Sequence, residues 1–211
     1  MPAALLVIAK EPVPGRVKTR LTPPCTPEQA ARLARAAIED TLAAGLATRR
    51  DTRRVLVLDG RPGPWIPPGF EVIAQRGEGL AARLAAAFED VGGPALLIGM
   101  DTPQVTPALL EAGLDALAGH DAVLGEAPDG GYWGIGLRRP DARVFARVPM
   151  SEVRTGAVQR ARLAALGLTT AILPPLRDID TIEDARAVAG DVPGGRVAAV
   201  LAEFEPWALA A

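Results

Sequence analysis

A chain of 211 residues with 23 basic and 25 acidic side chains, net charge −2, has room for one core-bearing domain and is too evenly charged to take bulk nucleic acid as its partner. It holds one cysteine, Cys25, one histidine, His120, and no asparagine. An internal disulfide and a Cys/His zinc site are thereby excluded, a His-dependent nucleophile must use His120, and a hard metal must rely on Asp, Glu, backbone carbonyls and water.

The first apolar run, Ala3 to Ile8, reads as a buried strand. It has no basic segment before it and is too short for a signal peptide or a membrane span, so a cytoplasmic protein without a membrane span is expected. The loop AKEPVPGRVKTRL follows, stiffened by Pro12 and Pro14, turned at Gly15 and carrying Lys10, Arg16, Lys18 and Arg20. Lys10 and Lys18 are the chain's two lysines, so this loop holds compact ammonium charges where arginine serves elsewhere. A cationic loop after the first strand of an α/β sheet is where an anionic ligand binds, although a solvated basic loop has the same composition.

Thr26-Pro27-Glu28-Gln29 is a capping box that opens a helix running to about Gly45. Strands are expected over Arg54–Leu58 and Phe70–Ala74, and the turn Gln75-Arg76-Gly77-Glu78-Gly79 then leads into a helix from Leu80 to about Val91. Ala95–Ile98 reads as a strand ending in Gly99-Met100-Asp101-Thr102-Pro103, and Thr106-Pro107 caps the next helix. The strand Ala122–Gly125, the turn Ala127-Pro128-Asp129-Gly130-Gly131 and the strand Tyr132–Leu137 follow, then a helix over Gly156–Leu166 and a strand over Thr169–Leu173. Thr181 caps a helix through Val188, and Val197–Leu209 reads as a last amphipathic helix. Alternating strands and helices with no internal repeat predict one α/β domain over residues 1–211, built on a mostly parallel, doubly wound sheet.

Right-handed crossovers bring the loops that follow strands to one rim. That rim gathers the cations of the first loop, the Gln75–Gly79 turn and the carboxylates Asp101, Asp178 and Asp180, while His120, before a strand, falls on the opposite rim. Cations and clustered acids facing one another suit a phosphate ligand with its Mg²⁺ or Mn²⁺, the acids on the metal and Lys or Arg on the phosphate oxygens. Asp178 and Asp180, one residue apart, point to one face if the segment is extended. Taken singly, Asp101 and Asp180 also fit turn and cap positions. Gly77-Glu78-Gly79-Leu80-Ala81-Ala82 matches a dinucleotide fingerprint, but that reading leaves the Lys10–Arg20 loop unexplained.

In order along the chain, AKEPVPGRVKTRL, QRGEGLAARL, IGMDTPQVTPALL, LGEAPDGGYWGIGL and LRDIDTIEDA resemble the motifs of a bacterial transferase family with the GT-A nucleotide-diphospho-sugar transferase fold. It is the family labelled radical-SAM/selenodomain-associated transferase or arsenosugar-biosynthesis glycosyltransferase, and it is more distantly similar to the phospholactate and molybdenum-cofactor guanylyltransferases. The resemblance implies that Lys18 and Arg20 contact phosphates, that Asp101 takes the metal with Asp178 and Asp180 completing the site, and that Asp129-Gly130-Gly131 lines the acceptor pocket. Met150 stands before Ser151 where the family pattern has Trp.

The expected site therefore comprises Lys10, Gly15, Lys18, Arg20, Gln75, Gly77 and Gly79 on the nucleotide and its phosphates. Asp101, Asp178 and Asp180 hold the metal, and Asp129, Gly130, Gly131 and Tyr132 face the acceptor. Lys18 and Asp129 are the catalytic candidates. The expected partners are a nucleotide or nucleotide-sugar and a small-molecule acceptor, with a homodimer allowed for. Three readings stay open: glycosyl transfer to a hydroxylated acceptor, nucleotidyl transfer to a phosphorylated one with release of pyrophosphate, and a nucleotide-binding module without catalysis.

Overall fold

Period-two burial along the strands sets the layering. In β1 (Ala4–Lys10), Leu5, Val7 and Ala9 enter one apolar cluster while Ala4 and Leu6 enter another on the opposite face. In β2 (Arg54–Asp59) and β4 (Ala95–Gly99), Leu56, Leu58, Leu96 and Ile98 join the first cluster, and Val55, Val57, Ala95 and Leu97 the second. A strand apolar on both faces must be covered on both, and the helices do this.

The computed structural model describes residues 3–204. The first face is covered by α1 (Pro27–Leu46), through Ala34, Ile38 and Leu42, and by α3 (Pro107–Ala116), through Leu110 and Leu114. The second is covered by α2 (Gly79–Val91), through Leu84, Ala87 and Phe88, and by α4 (Thr155–Ala165), through Leu163. Fully burying one such leucine or phenylalanine contributes about 1.5–3 kcal/mol. The remaining strands are β3 (Glu71–Ala74), β5 (Ala122–Glu126), β6 (Tyr132–Leu137) and β7 (Thr170–Leu173). A smaller cluster joins the outer side of α1 to α5 (Ile182–Asp191) and α6 (Arg196–Phe204), with Leu33, Ala37, Ala185, Val188 and Leu201 buried in it.

The sheet runs β3-β2-β1-β4-β6-β5-β7. All neighbours pair in parallel except β6, which is antiparallel to both β4 and β5. The reversal follows from the short Ala127–Gly131 turn, which joins β5 to β6 as a hairpin and leaves no length for a crossover. The mostly parallel α/β fold expected from the sequence is thus the fold observed. Capping boxes form at Thr26 with Gln29 and at Thr181 with Asp184, and Thr106 caps α3. The last expected helix is seen from Arg196 to Phe204; its extension to Leu209 lies outside the described residues. Among the described residues no helix is long and apolar enough to cross a membrane.

Candidate functional site

The segments after β1, β3, β4, β5 and β7 meet at one rim around a cleft of about 780 Å³. Its lining includes Lys10, Arg16, Lys18, Arg20 and Gln75 from β1 and the segments after β1 and β3, and Asp101, Asp178 and Asp180 from the segments after β4 and β7. Asp129, Gly131, Tyr132, Met150 and Val153 also line it. In the sheet order the β5–β6 hairpin that carries the first three lies on the other side of β4 from the β1 loop, which sets the two ends of the cleft. His120 lies exposed at the opposite rim, its ring Nδ1 3.1 Å from the Ala116 carbonyl.

Asp101, Asp178 and Asp180 can each offer an oxygen such that the three lie within 4.8 Å of one another. Three hard oxygen donors converging in this way fit Mg²⁺ or Mn²⁺. The local structure explains the convergence: the backbone between Leu173 and Thr181 has no regular element, and its Ile179 is 2% exposed in the cluster with Leu21, so the flanking Asp178 and Asp180 face the cleft. A cation already sits among these acids. Lys18 Nζ donates to Asp101 Oδ2 at 2.7 Å and to Asp180 Oδ1 at 3.1 Å, and Arg20 donates to Asp180 Oδ2 at 2.8 Å.

The electrostatics follow from these contacts. Burial alone pulls the Lys18 ammonium down, but Asp101 and Asp180 outweigh it and hold its pKa above the usual lysine value. Among the described residues, Asp178 makes no ion pair with a lysine or arginine. Burial, and then the charges of Asp101, Asp129 and Asp180, push its carboxyl up to about 7. Burial also raises the Tyr132 hydroxyl.

Several residues expected at the site do other work. Gly15, Gly77, Gly79 and Gly130 are not among the residues that line the cleft, and of the dinucleotide fingerprint Leu80 alone lines it. Gly130 instead admits its neighbour: a Cβ on it would sit 1.8 Å from the Val153 carbonyl oxygen. Gln75 lines the cleft, but its amide nitrogen donates to the carbonyls of Ala9 and Val57 at 2.8 and 3.1 Å, which ties strand ends together. Asp129 is exposed, with one carboxylate oxygen accepting from the Gly131 amide at 2.8 Å.

The sequence left three features out of the site. Arg16 lines the cleft, as its place in the cationic loop allows. Arg83 lines it from α2 while donating to Asp59 at 2.9 Å. The segment Met150–Val153 returns from the far end of β6 to close the acceptor end, and its Val153 is 81% exposed. The family pattern singled out Met150-Ser151 as an acceptor position, but the return of the segment to the cleft follows from the reversed direction of β6.

Residues 29–152 match the family described as "Uncharacterized protein conserved in bacteria (DUF2064)", over more than half of the chain. The chain belongs to this family. Among curated proteins, no sequence matches it. Known structures share its architecture. A protein from Desulfovibrio desulfuricans G20, provisionally assigned as a nucleotide-diphospho-sugar transferase, superposes with a TM-score of 0.86 at 26% identity, over 97% of this chain and 96% of that one. The 2-C-methyl-D-erythritol 4-phosphate cytidylyltransferase of Thermus thermophilus gives 0.53 at 19% identity, over 90% and 98%. A manganese complex of a Mycobacterium tuberculosis protein gives 0.50 at 20% identity, over 89% and 98%. The DUF2064 chain therefore has the α/β fold of nucleotide-diphospho-sugar transferases, as the resemblance of its motifs implied, and the Desulfovibrio and Thermus neighbours bear transferase names.

Proposed function

We propose that this DUF2064 protein is a metal-dependent transferase that moves a glycosyl group from a nucleotide-sugar to a small hydroxylated acceptor. One observation carries the choice of reaction: the two ends of the cleft differ in charge. The cations that line it, Lys10, Arg16, Lys18, Arg20 and Arg83, come from the β1 loop and α2. At the other end stand Asp129, Tyr132, Met150, Glu152 and Val153, with no lysine or arginine among the described lining residues. Phosphates are held at the first end; a phosphorylated acceptor has no counter-charge at the second.

A divalent ion held by Asp101, Asp178 and Asp180 would neutralise the charge that develops on a departing nucleoside diphosphate. Arg16, exposed at the mouth, and Arg20 are positioned for phosphate oxygens. Asp129 takes the proton of the acceptor hydroxyl through its free carboxylate oxygen, its other oxygen being fixed by the Gly131 amide. Tyr132, Met150 and Val153 offer partly apolar surface to the acceptor. Nucleotidyl transfer is the second reading, favoured by the likeness in fold to the Thermus thermophilus cytidylyltransferase.

The deciding assay incubates the protein and Mg²⁺ or Mn²⁺ with a panel of nucleotide-sugars, and separately with nucleoside triphosphates and phosphorylated small molecules. Release of nucleoside diphosphate from a nucleotide-sugar supports glycosyl transfer. Pyrophosphate release from a triphosphate overturns it in favour of nucleotidyl transfer, and binding without turnover of any donor leaves a nucleotide-binding module.

A further inference from the structure

The Lys18 ammonium lies inside the carboxylate set that a divalent ion would use, and its side chain is only 10% exposed there. It gets there from a left-handed backbone, φ 47° and ψ 42°, a conformation that a residue with a Cβ keeps only where its surroundings enforce it. Two of the three candidate ligands, Asp101 and Asp180, are thus already neutralised by the chain's own cations. A divalent ion that took Asp101 Oδ2 and Asp180 Oδ1 would stand in like-charge contact with the ammonium that those same oxygens now accept from.

The choice of residue bears on this. Arginine supplies most of the positive charge, yet the chain places its two lysines in this loop. A compact ammonium on a flexible stem can change partners by rotating about its side-chain bonds, whereas a planar guanidinium fork is fitted to one bidentate geometry.

We propose that Lys18 is a built-in counter-ion, which holds the metal seat until nucleotide phosphates draw its ammonium away, so that divalent ion and nucleotide load together. This rests on the reading above, that the cleft takes a metal-bound nucleotide. In the loaded state the ammonium lies on phosphate oxygens and Asp101 and Asp180 are released to the metal. The ion alone must evict the ammonium into water; with nucleotide present, the ammonium has an anion to receive it. If the ammonium fills the seat for about nine-tenths of the time, the apparent affinity for metal alone falls about tenfold.

Mn²⁺ binding without nucleotide, read by electron paramagnetic resonance of the free ion, tests this on wild type and Lys18→Gln, with circular dichroism to check the fold. The expected result is Mn²⁺ bound about tenfold tighter by the variant. Adding GDP, UDP or CDP, with correction for ion bound to free nucleotide, should raise the affinity for Mn²⁺ in both proteins, by about tenfold more in wild type than in the variant. A second measurement needs no variant. Amine acylation followed by mass spectrometry reads Lys18 against the exposed Lys10 in the wild-type protein. Lys18 should be protected without metal, labelled faster as Mn²⁺ alone fills the site, and protected again with Mn²⁺ and a nucleoside diphosphate. Equal Mn²⁺ affinity in wild type and folded Lys18→Gln, or Lys18 labelling that saturating Mn²⁺ does not change, overturns the counter-ion and leaves the metal site standing. Failure of both proteins to bind Mn²⁺ with any of the three nucleotides removes the metal reading and the counter-ion with it.

Discussion

The Ile179 amide donates to the Asp101 carbonyl at 3.0 Å, so the segment after β7 is fastened to the segment after β4 where the acids of both face the cleft. Asp178 and Asp180 flank that bond, yet their surroundings differ. Asp180 accepts from Lys18 and Arg20, whereas the charges that act on Asp178 are those of other carboxylates. Repulsion in the metal-free site is therefore concentrated on one residue.

Asp178 should make the metal-free protein sensitive to pH. Its pKa rises from 3.8 when unfolded to about 7 when folded, so the folded state binds the proton more tightly. Its stabilising contribution is complete below about pH 4 and is lost as pH rises through about 7. Thermal melts in chelator should thus show wild type losing stability between about pH 4 and 7 relative to Asp178→Asn. At pH 8 the variant should be the more stable by about 1–2 kcal/mol after solvent screening, or roughly 2–8 °C. Parallel pH profiles for the two proteins would show that Asp178 titrates normally.

Replacing Asp101 or Asp180 should have a different signature. Loss of either ligand removes several kcal/mol of charge stabilisation, so Asp101→Ala and Asp180→Ala should lower metal-stimulated turnover by roughly a hundredfold or more. Each also takes a partner from the buried Lys18, which costs about 1–3 kcal/mol of metal-free stability. Melting in chelator should accordingly fall for these two and rise for Asp178→Asn at pH 8. Full Mg²⁺-dependent turnover in either alanine variant would reduce that residue to a turn or cap.

Much of this site was legible in the sequence because strand order and crossover handedness decide which loops share a rim. That logic brought Lys18, Arg20, Asp101, Asp178 and Asp180 to one cleft and put His120 on the other side, where His120→Gln should leave turnover within about twofold. It did not reveal that Lys18 turns toward carboxylates, since that depends on a left-handed φ that lysine seldom adopts. Nor did it show whether Gly77 and Gly79 serve a turn or a phosphate, because a glycine needed for one and a glycine needed beside the other read alike; both have positive φ. The family pattern pointed to Met150-Ser151, but how that segment reaches the cleft was hidden for a topological reason: β6 runs backwards, and the chain must then return across the sheet.

The hairpin that reverses β6 depends on a close approach at Gly125. A Cβ there would lie 2.3 Å from Trp133 Cε2, and the same indole donates from Nε1 to the Pro174 carbonyl at 3.0 Å, which anchors the chain leaving β7 toward Asp178. Gly125→Ala should displace the indole and cost about 1–3 kcal/mol, seen as a lower melting temperature, with weaker Mn²⁺ binding as the segment shifts. An unchanged melting temperature would mean that Trp133 has room to move and that the anchor does not control the acids.

Asp129 separates the two chemistries. Its carboxylate stands at the cation-free end of the cleft, beside Tyr132, Met150 and Val153, and Asn can keep the Gly131 bond because an amide oxygen also accepts. A neutral hydroxyl needs a base as it attacks, and a positioned base contributes about 10²–10⁴-fold. Asp129→Asn should therefore lower kcat for glycosyl transfer by about that factor and leave KM for the nucleotide-sugar nearly unchanged. A phosphate acceptor is ionised already and would gain from losing a like charge, so nucleotidyl transfer should survive the substitution or become faster. The measurement is steady-state release of nucleoside diphosphate from a nucleotide-sugar with Mg²⁺ and a hydroxylated acceptor, set against release of pyrophosphate from GTP or CTP with a phosphorylated one. Pyrophosphate release that persists in Asp129→Asn would assign the cleft to nucleotidyl transfer and reduce Asp129 to a residue of the hairpin turn.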